Sequence, residues 1–175
     1  MRAFDRTATD RFPVAVDAAL RKAGWRPGRW DIRQAEAWAD GLRAHVSPAG
    51  HRHTVFPAAV EAWAEFGGLR IAGAAAGHQV APTSCLIDPM CGLHLARTLS
   101  DLGRALGTEI SPLGEEGPGP EGPGSGRAVL AVDSEGRVYS LDHTGDWFLG
   151  HSMEAALTTL VTGGRPERLT VAGGG

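Results

Sequence analysis

Four side chains with metal-binding chemistry fall in one short stretch: Cys85, Asp88, Cys91 and His94. Thiolate, carboxylate and imidazole are donors that zinc accepts. The spacing argues against a built site. Five residues separate the two cysteines and two separate Cys91 from His94, whereas a zinc knuckle grips through a closely spaced C-x-x-C pair. Pro89 directly after Asp88 suits a turn. The expectation is two small buried thiols and a surface histidine, with no metal and no cofactor. A metalloprotein built on residues 85–94 stays open as an alternative. His143 and His151 lie near Asp142 and Asp146 in the chain and have the chemistry of a general base. Around them there is no nucleophile elbow, no phosphate-cradling G-x-x-x-x-G-K-[ST] and no H-E-x-x-H. The H-x-E and P-C-x-x-C pair of zinc deaminases is missing too. The prediction is therefore a protein that is not an enzyme.

The elements that would position these groups follow from composition and periodicity. The chain has 175 residues, with 17 Lys and Arg against 20 Asp and Glu, a formal net charge of −3. That length suits one domain, able to bury roughly 70% of its unfolded surface. A nucleic-acid partner calls for a positive surplus that is not there, and no apolar run approaches the roughly 20 residues needed to span a bilayer. Two cysteines cannot form a disulfide framework. The charged start of the chain lacks the apolar stretch of a signal peptide. No nucleic acid, no membrane and a cytoplasmic location are expected.

Three amphipathic helices come first. Asp10 is read as the cap of one carrying Phe12, Val16, Ala19, Leu20 and Ala23, with Gly24 ending it. Asp31 caps a second through Ile32, Ala35, Trp38, Ala39 and Leu42. Phe56-Pro57 opens a third, stopped by Gly67-Gly68. Short strands are expected at residues 69–71, 83–87 and 108–113, with a fourth helix over residues 95–106. Residues 114–126 read G-E-E-G-P-G-P-E-G-P-G-S-G and predict an exposed loop within the domain. The domain is placed at residues 10–166, with flexible tails at 1–9 and 167–175.

The densest local signals lie in residues 127–162. Ala128–Asp133 and residues 137–142 are strand-like and flank Ser134-Glu135-Gly136, a hairpin pattern. Gly145-Asp146-Trp147-Phe148-Leu149-Gly150 reads as a buried corner, with Gly145 and Gly150 allowing bends and Trp147, Phe148 and Leu149 plugging the core. Ser152 caps a last helix. Asp133, Glu135, Tyr139, Asp142 and Asp146 form an acidic and aromatic group. Side chains two apart share a strand face, so Val138, Ser140 and Asp142 share one side and Tyr139 and Leu141 the other. Carboxylates beside an aromatic suit a rim for a basic protein partner. Helices and strands are partly segregated, which predicts an α+β fold: a mostly antiparallel sheet of five to six strands flanked by helices.

An ordered set of short motifs resembles the SUKH superfamily, and within it the third subgroup of bacterial immunity proteins. The set comprises Phe12-Pro13 with Gly24-Trp25, Phe56-Pro57 with Phe66-Gly67-Gly68-Leu69, Ile87-Asp88-Pro89, Leu106-Gly107 and Pro112-Leu113-Gly114-Glu115. It continues with Leu130-Ala131-Val132-Asp133, Gly136-Arg137-Val138-Tyr139 and the residues 145–150 described above. The resemblance implies a SUKH-like fold and a non-enzymatic role: stoichiometric binding of a cognate polymorphic toxin domain, of nuclease or deaminase type. It supplies no catalytic residue. A general intracellular adaptor of the same fold is the alternative. The Gly/Pro-rich residues 114–126, the His-bearing residues 44–54 and residues 72–82 depart from the family pattern, which leaves the identity of the toxin open.

Overall fold

A computed structural model describes residues 11–118 and 124–170. Asp10 as a cap, residues 1–9 and 171–175 as tails, and the middle of the Gly/Pro-rich stretch lie outside the described residues.

Among the described residues, five α-helices and seven strands form the α+β architecture. The helices are α1 (Val14–Ala23), α2 (Ile32–Ala44), α3 (Pro57–Phe66), α4 (Ala96–Leu106) and α5 (Met153–Thr162). A 3-10 helix, Pro89–Leu95, precedes α4. The strands are β1 (Arg70–Ile71), β2 (Cys85–Leu86), β3 (Ile110–Glu116), β4 (Ala128–Asp133), β5 (Val138–Asp142), β6 (Gly145–Gly150) and β7 (Glu167–Arg168). They form one sheet in the order β1-β2-β3-β4-β5-β6-β7, every pair antiparallel. The sheet is thus one or two strands wider than the sequence suggested.

Local chemistry explains the boundaries. The Asp31 carboxylate accepts from the Gln34 amide at 3.0 Å and starts α2. Ser152 Oγ accepts from the Ala155 amide at 3.1 Å and starts α5. Each satisfies an amide that the first turn leaves without an intrahelical partner. Gly24 ends α1 at φ +110° and its amide donates to Arg21 O, a conformation that a side chain would strain.

The sheet has a different partner on each face. Leu113, Leu130, Val132, Val138 and Leu149 point to the face covered by α1, α2, α3 and α5, and meet Leu20, Leu42, Trp63, Phe66 and Leu157 in the main core. Ile110, Ala131 and Tyr139 point the other way and pack on Leu99 and Leu102 of α4. Burial of side chains of this size contributes about 1.5–3 kcal/mol each. The alternation expected for β4 and β5 is therefore observed, with both faces covered rather than one.

Three expectations are corrected. The exposed loop begins later than residue 114, because Gly114, Glu115 and Glu116 belong to β3 and are buried. Close approach explains the glycine: a Cβ on Gly114 would stand 2.0 Å from Leu86 O. One oxygen of each glutamate is satisfied, while Glu115 Oε1 is buried without a hydrogen bond among the described residues. Glu115 Oε2 accepts from the amides of Gly124 and Gly126, and Ser140 Oγ donates to Glu116 Oε2. The tail also begins later than residue 167, since Glu167–Arg168 pair with β6 as β7 and the Leu169 amide donates to Asp146 O. Finally, residues 145–150 are not a corner but the whole of strand β6, with a register shift opposite Val138 and Tyr139.

Candidate functional site

The β4–β5 hairpin is closed by one buried carboxylate. Asp133 is fully buried. Its Oδ1 accepts from the amides of Glu135 and Arg137, both at 2.9 Å. Its Oδ2 accepts from Arg137 Nε at 2.6 Å and from the Tyr139 hydroxyl at 2.9 Å. Both oxygens are thus saturated by the turn they organise, and Gly136 supplies the φ of +87° the turn requires. A buried charge is tolerated only when paired and hydrogen-bonded in this way. Tyr139 lies beneath the surface, 3% exposed. Burial, followed by the bond to Asp133, pushes its phenol up to about 12. The Arg137 guanidinium is held above its ordinary value by the Asp133 carboxylate.

Asp133 and Tyr139 consequently do not front the partner-facing rim that the sequence suggested. The alternation placed Tyr139 on a face, but helix α4 covers that face. Asp133 ends β4, one residue beyond the last hairpin pair, and is buried, while Glu135 two residues on is the exposed carboxylate. The Glu135 side chain is 72% exposed and stands 3.6 Å from Arg137.

Asp142 and Asp146 lie at the opposite end of β5 from Glu135, so the five residues do not form one continuous rim. Asp142 pairs with Gly145, and Asp146 with Leu141. Both are half-buried. Asp142 Oδ1 holds the β5–β6 turn, accepting from the Thr144 amide at 2.8 Å, the Thr144 hydroxyl at 2.5 Å and the Gly145 amide at 3.1 Å. Burial alone would raise its pKa, but these bonds and one from Trp147 outweigh that and hold it below the usual carboxylate value. Asp146 moves the other way, raised by burial and by the neighbouring Asp142 charge.

Of the residues expected in the buried corner, Leu149 and Gly150 are buried, while Gly145, Trp147 and Phe148 are half-buried. Trp147 lies at the edge rather than in the core. Its indole N–H donates to Asp142 Oδ1 at 3.4 Å and the Arg168 guanidinium sits 5.7 Å over its ring. Phe148 packs beside Tyr139 with ring centroids 5.9 Å apart. A strand, unlike a corner, sends Trp147 and Phe148 to opposite faces, so they cannot both enter one core.

The groups singled out for metal chemistry are dispersed. Cys85 is buried in β2, Asp88 caps the 3-10 helix by accepting from the Met90 amide, and His94 is exposed. Instead, His94 packs on His45 at 5.2 Å, and His45 on the buried His53 at 6.0 Å. Among the described residues no group of three or more His, Cys, Asp or Glu is placed to hold a metal ion. No helix among them is long and apolar enough to cross a membrane.

Sequence reasoning passed over the surface flanking the Ser134–Gly136 turn. A groove of about 530 Å³ runs between this turn and the starts of α3 and α5, lined by Trp30, Pro57, Glu61, Met153 and Glu154 among others. Trp30 is 54% exposed. A family model described as SUKH-3 immunity protein matches residues 12–163. No curated protein and no solved structure gives a match.

Proposed function

The chain belongs to the SUKH-3 immunity protein family, and from that premise we propose that it neutralises a cognate bacterial toxin domain by stoichiometric protein binding. The family match over residues 12–163 carries this reading. The partner is a polymorphic toxin of nuclease or deaminase type, and the complex blocks its substrate cleft or holds it inactive in the cytoplasm. The chain acts without catalysis.

The geometry supports a binding role through rigidity. A preorganised surface spends little of its interaction energy on ordering. The hairpin that presents Glu135 is fixed by four hydrogen bonds to Asp133. The end that presents Asp146 is fixed by Asp142. Glu135, Asp142 and Asp146 remain the accessible carboxylates of the group, and charges so placed set association rate and partner choice. Co-expression with the toxin encoded beside this chain in its own genome tests the reading. Growth rescue together with co-purification in equal amounts is expected. Rescue without a complex, or neither, refutes it.

A further inference from the structure

The groove between the β4–β5 turn and the starts of α3 and α5 combines an apolar floor with carboxylate lips. Trp30, Pro57 and Met153 supply apolar surface, of which Trp30 and Pro57 are exposed. Four carboxylates line it: Glu61, Glu65, Glu135 and Glu154. They are not equivalent. Arg11 bridges Glu65 at 2.8 Å and Glu154 at 2.5 Å, and Glu154 also lies on the first turn of α5, where a helix start favours negative charge. Those two are already satisfied. Glu61 is exposed and has no cation partner among the described residues. Glu135 shares Arg137 but remains largely open to solvent. Two underused carboxylates and an exposed tryptophan thus line the same groove.

We propose that this groove seats an arginine-bearing segment of the toxin, the guanidinium meeting Glu61 and Glu135 and the side-chain stem lying on Trp30. This rests on the toxin-binding reading above. Arginine fits better than lysine because its planar fork pairs with carboxylates and stacks on an aromatic face. Trp and Arg are also the residue types that dominate interface energetics. Charge argues against a second copy of this chain as the occupant: each copy carries a net −3 and brings no positive surplus to an acidic groove.

Affinity for the neighbouring-gene toxin is measured for wild type, Trp30→Ala and Glu61→Arg/Glu135→Arg, with Asp101→Asn, exposed on α4 and outside the groove, as control. All four are first checked for an unchanged melting temperature. Separately, an oligo-arginine peptide is titrated while the indole signals of the five tryptophans are followed, Trp30 being assigned through Trp30→Phe. Trp30→Ala and the charge reversal are each expected to weaken toxin binding about thirty-fold or more, and the control to leave it unchanged. Oligo-arginine is expected to move the Trp30 signal in wild type but not in the charge-reversed protein. Toxin binding retained within about threefold in both groove variants overturns this placement and leaves the toxin-binding reading standing. Failure of wild type to bind toxin overturns that reading, even if oligo-arginine still moves Trp30. A dimer that Trp30→Ala dissociates overturns the choice of occupant.

Discussion

Asp133→Ala tests whether the hairpin is held as described. The substitution removes the acceptor of four hydrogen bonds at once. The Tyr139 hydroxyl, in a residue only 3% exposed, is left as a buried orphan, which costs about 1–3 kcal/mol. The Arg137 side chain is 33% exposed, so water replaces much of its bond and the loss is discounted to about 0.5–1 kcal/mol. The amides of Glu135 and Arg137 sit at an exposed turn and add about 1 kcal/mol together. The expected destabilisation is about 2.5–5 kcal/mol, close to the usual cost of breaking a buried charge pair. For a domain of this size that lowers Tm by about 5–20 °C. Guanidinium unfolding followed by tryptophan fluorescence measures it, with an unchanged m-value as the condition for reading it as stability. In a double-mutant cycle with Tyr139→Phe, a coupling of about 1–2 kcal/mol is expected. A loss below about 1 kcal/mol, or strictly additive effects, refutes the claim that Asp133 is the fastening of this hairpin.

Tyr139 is the sole tyrosine, so tyrosinate absorbance reports it without overlap from another phenol. Its folded value of about 12 lies above the ordinary value near 10, which means the fold favours the neutral form; this contribution is complete below pH ~10 and is lost as pH rises toward about 12, and a midpoint at the ordinary value contradicts the burial. Burial, with Glu116 near Cys85 and with Glu115 and Asp88 near Cys91, pushes both thiols up to about 12. Because the thiolate is the reactive form, both cysteines are expected to resist a thiol reagent in mildly alkaline buffer and to appear together on unfolding. Rapid labelling of Cys91 in the folded protein overturns this.

The hairpin was legible because its signals agree: β-formers alternate across β4 and β5, and Gly136 marks the turn. What local pattern cannot supply is which covered face a side chain meets. Alternation separates Tyr139 from Ser140, but only the docking of α4 decides that Tyr139 is buried. The acidic group was read from composition, and composition does not distinguish Asp133, saturated by its own turn, from Glu135 two residues on. Residues 114–116 were obscured by the Gly/Pro-rich run that follows them. A strand that buries Glu115 and Glu116 becomes acceptable through partners such as Gly124, Gly126, Arg127 and Ser140, which lie beyond the strand. Residues 145–150 misled for a related reason. A bulky triplet between glycines fits a corner, and only pairing with β5 on one side and β7 on the other makes it a strand. The groove escaped because its lining comes from four separate segments, none of which is acidic enough by itself to attract attention.

The strictly sequential strand order sets a timetable for folding during synthesis. Each strand hydrogen-bonds to its immediate predecessor, so the sheet can grow as the chain emerges, with short turns to close between β4, β5 and β6. The helical layer follows a different clock. Helix α1 is made first yet packs against α5, made near the end, and Arg11 joins Glu154 across 143 residues. Val16 and Leu20 therefore gain this part of their cover only after α5 has left the ribosome, although β1 packs on α1 earlier. Chains arrested before Met153 are expected to be cut by protease within α1, and completed chains to be protected there. Protection of α1 in the arrested chains would show that the early layer closes by itself.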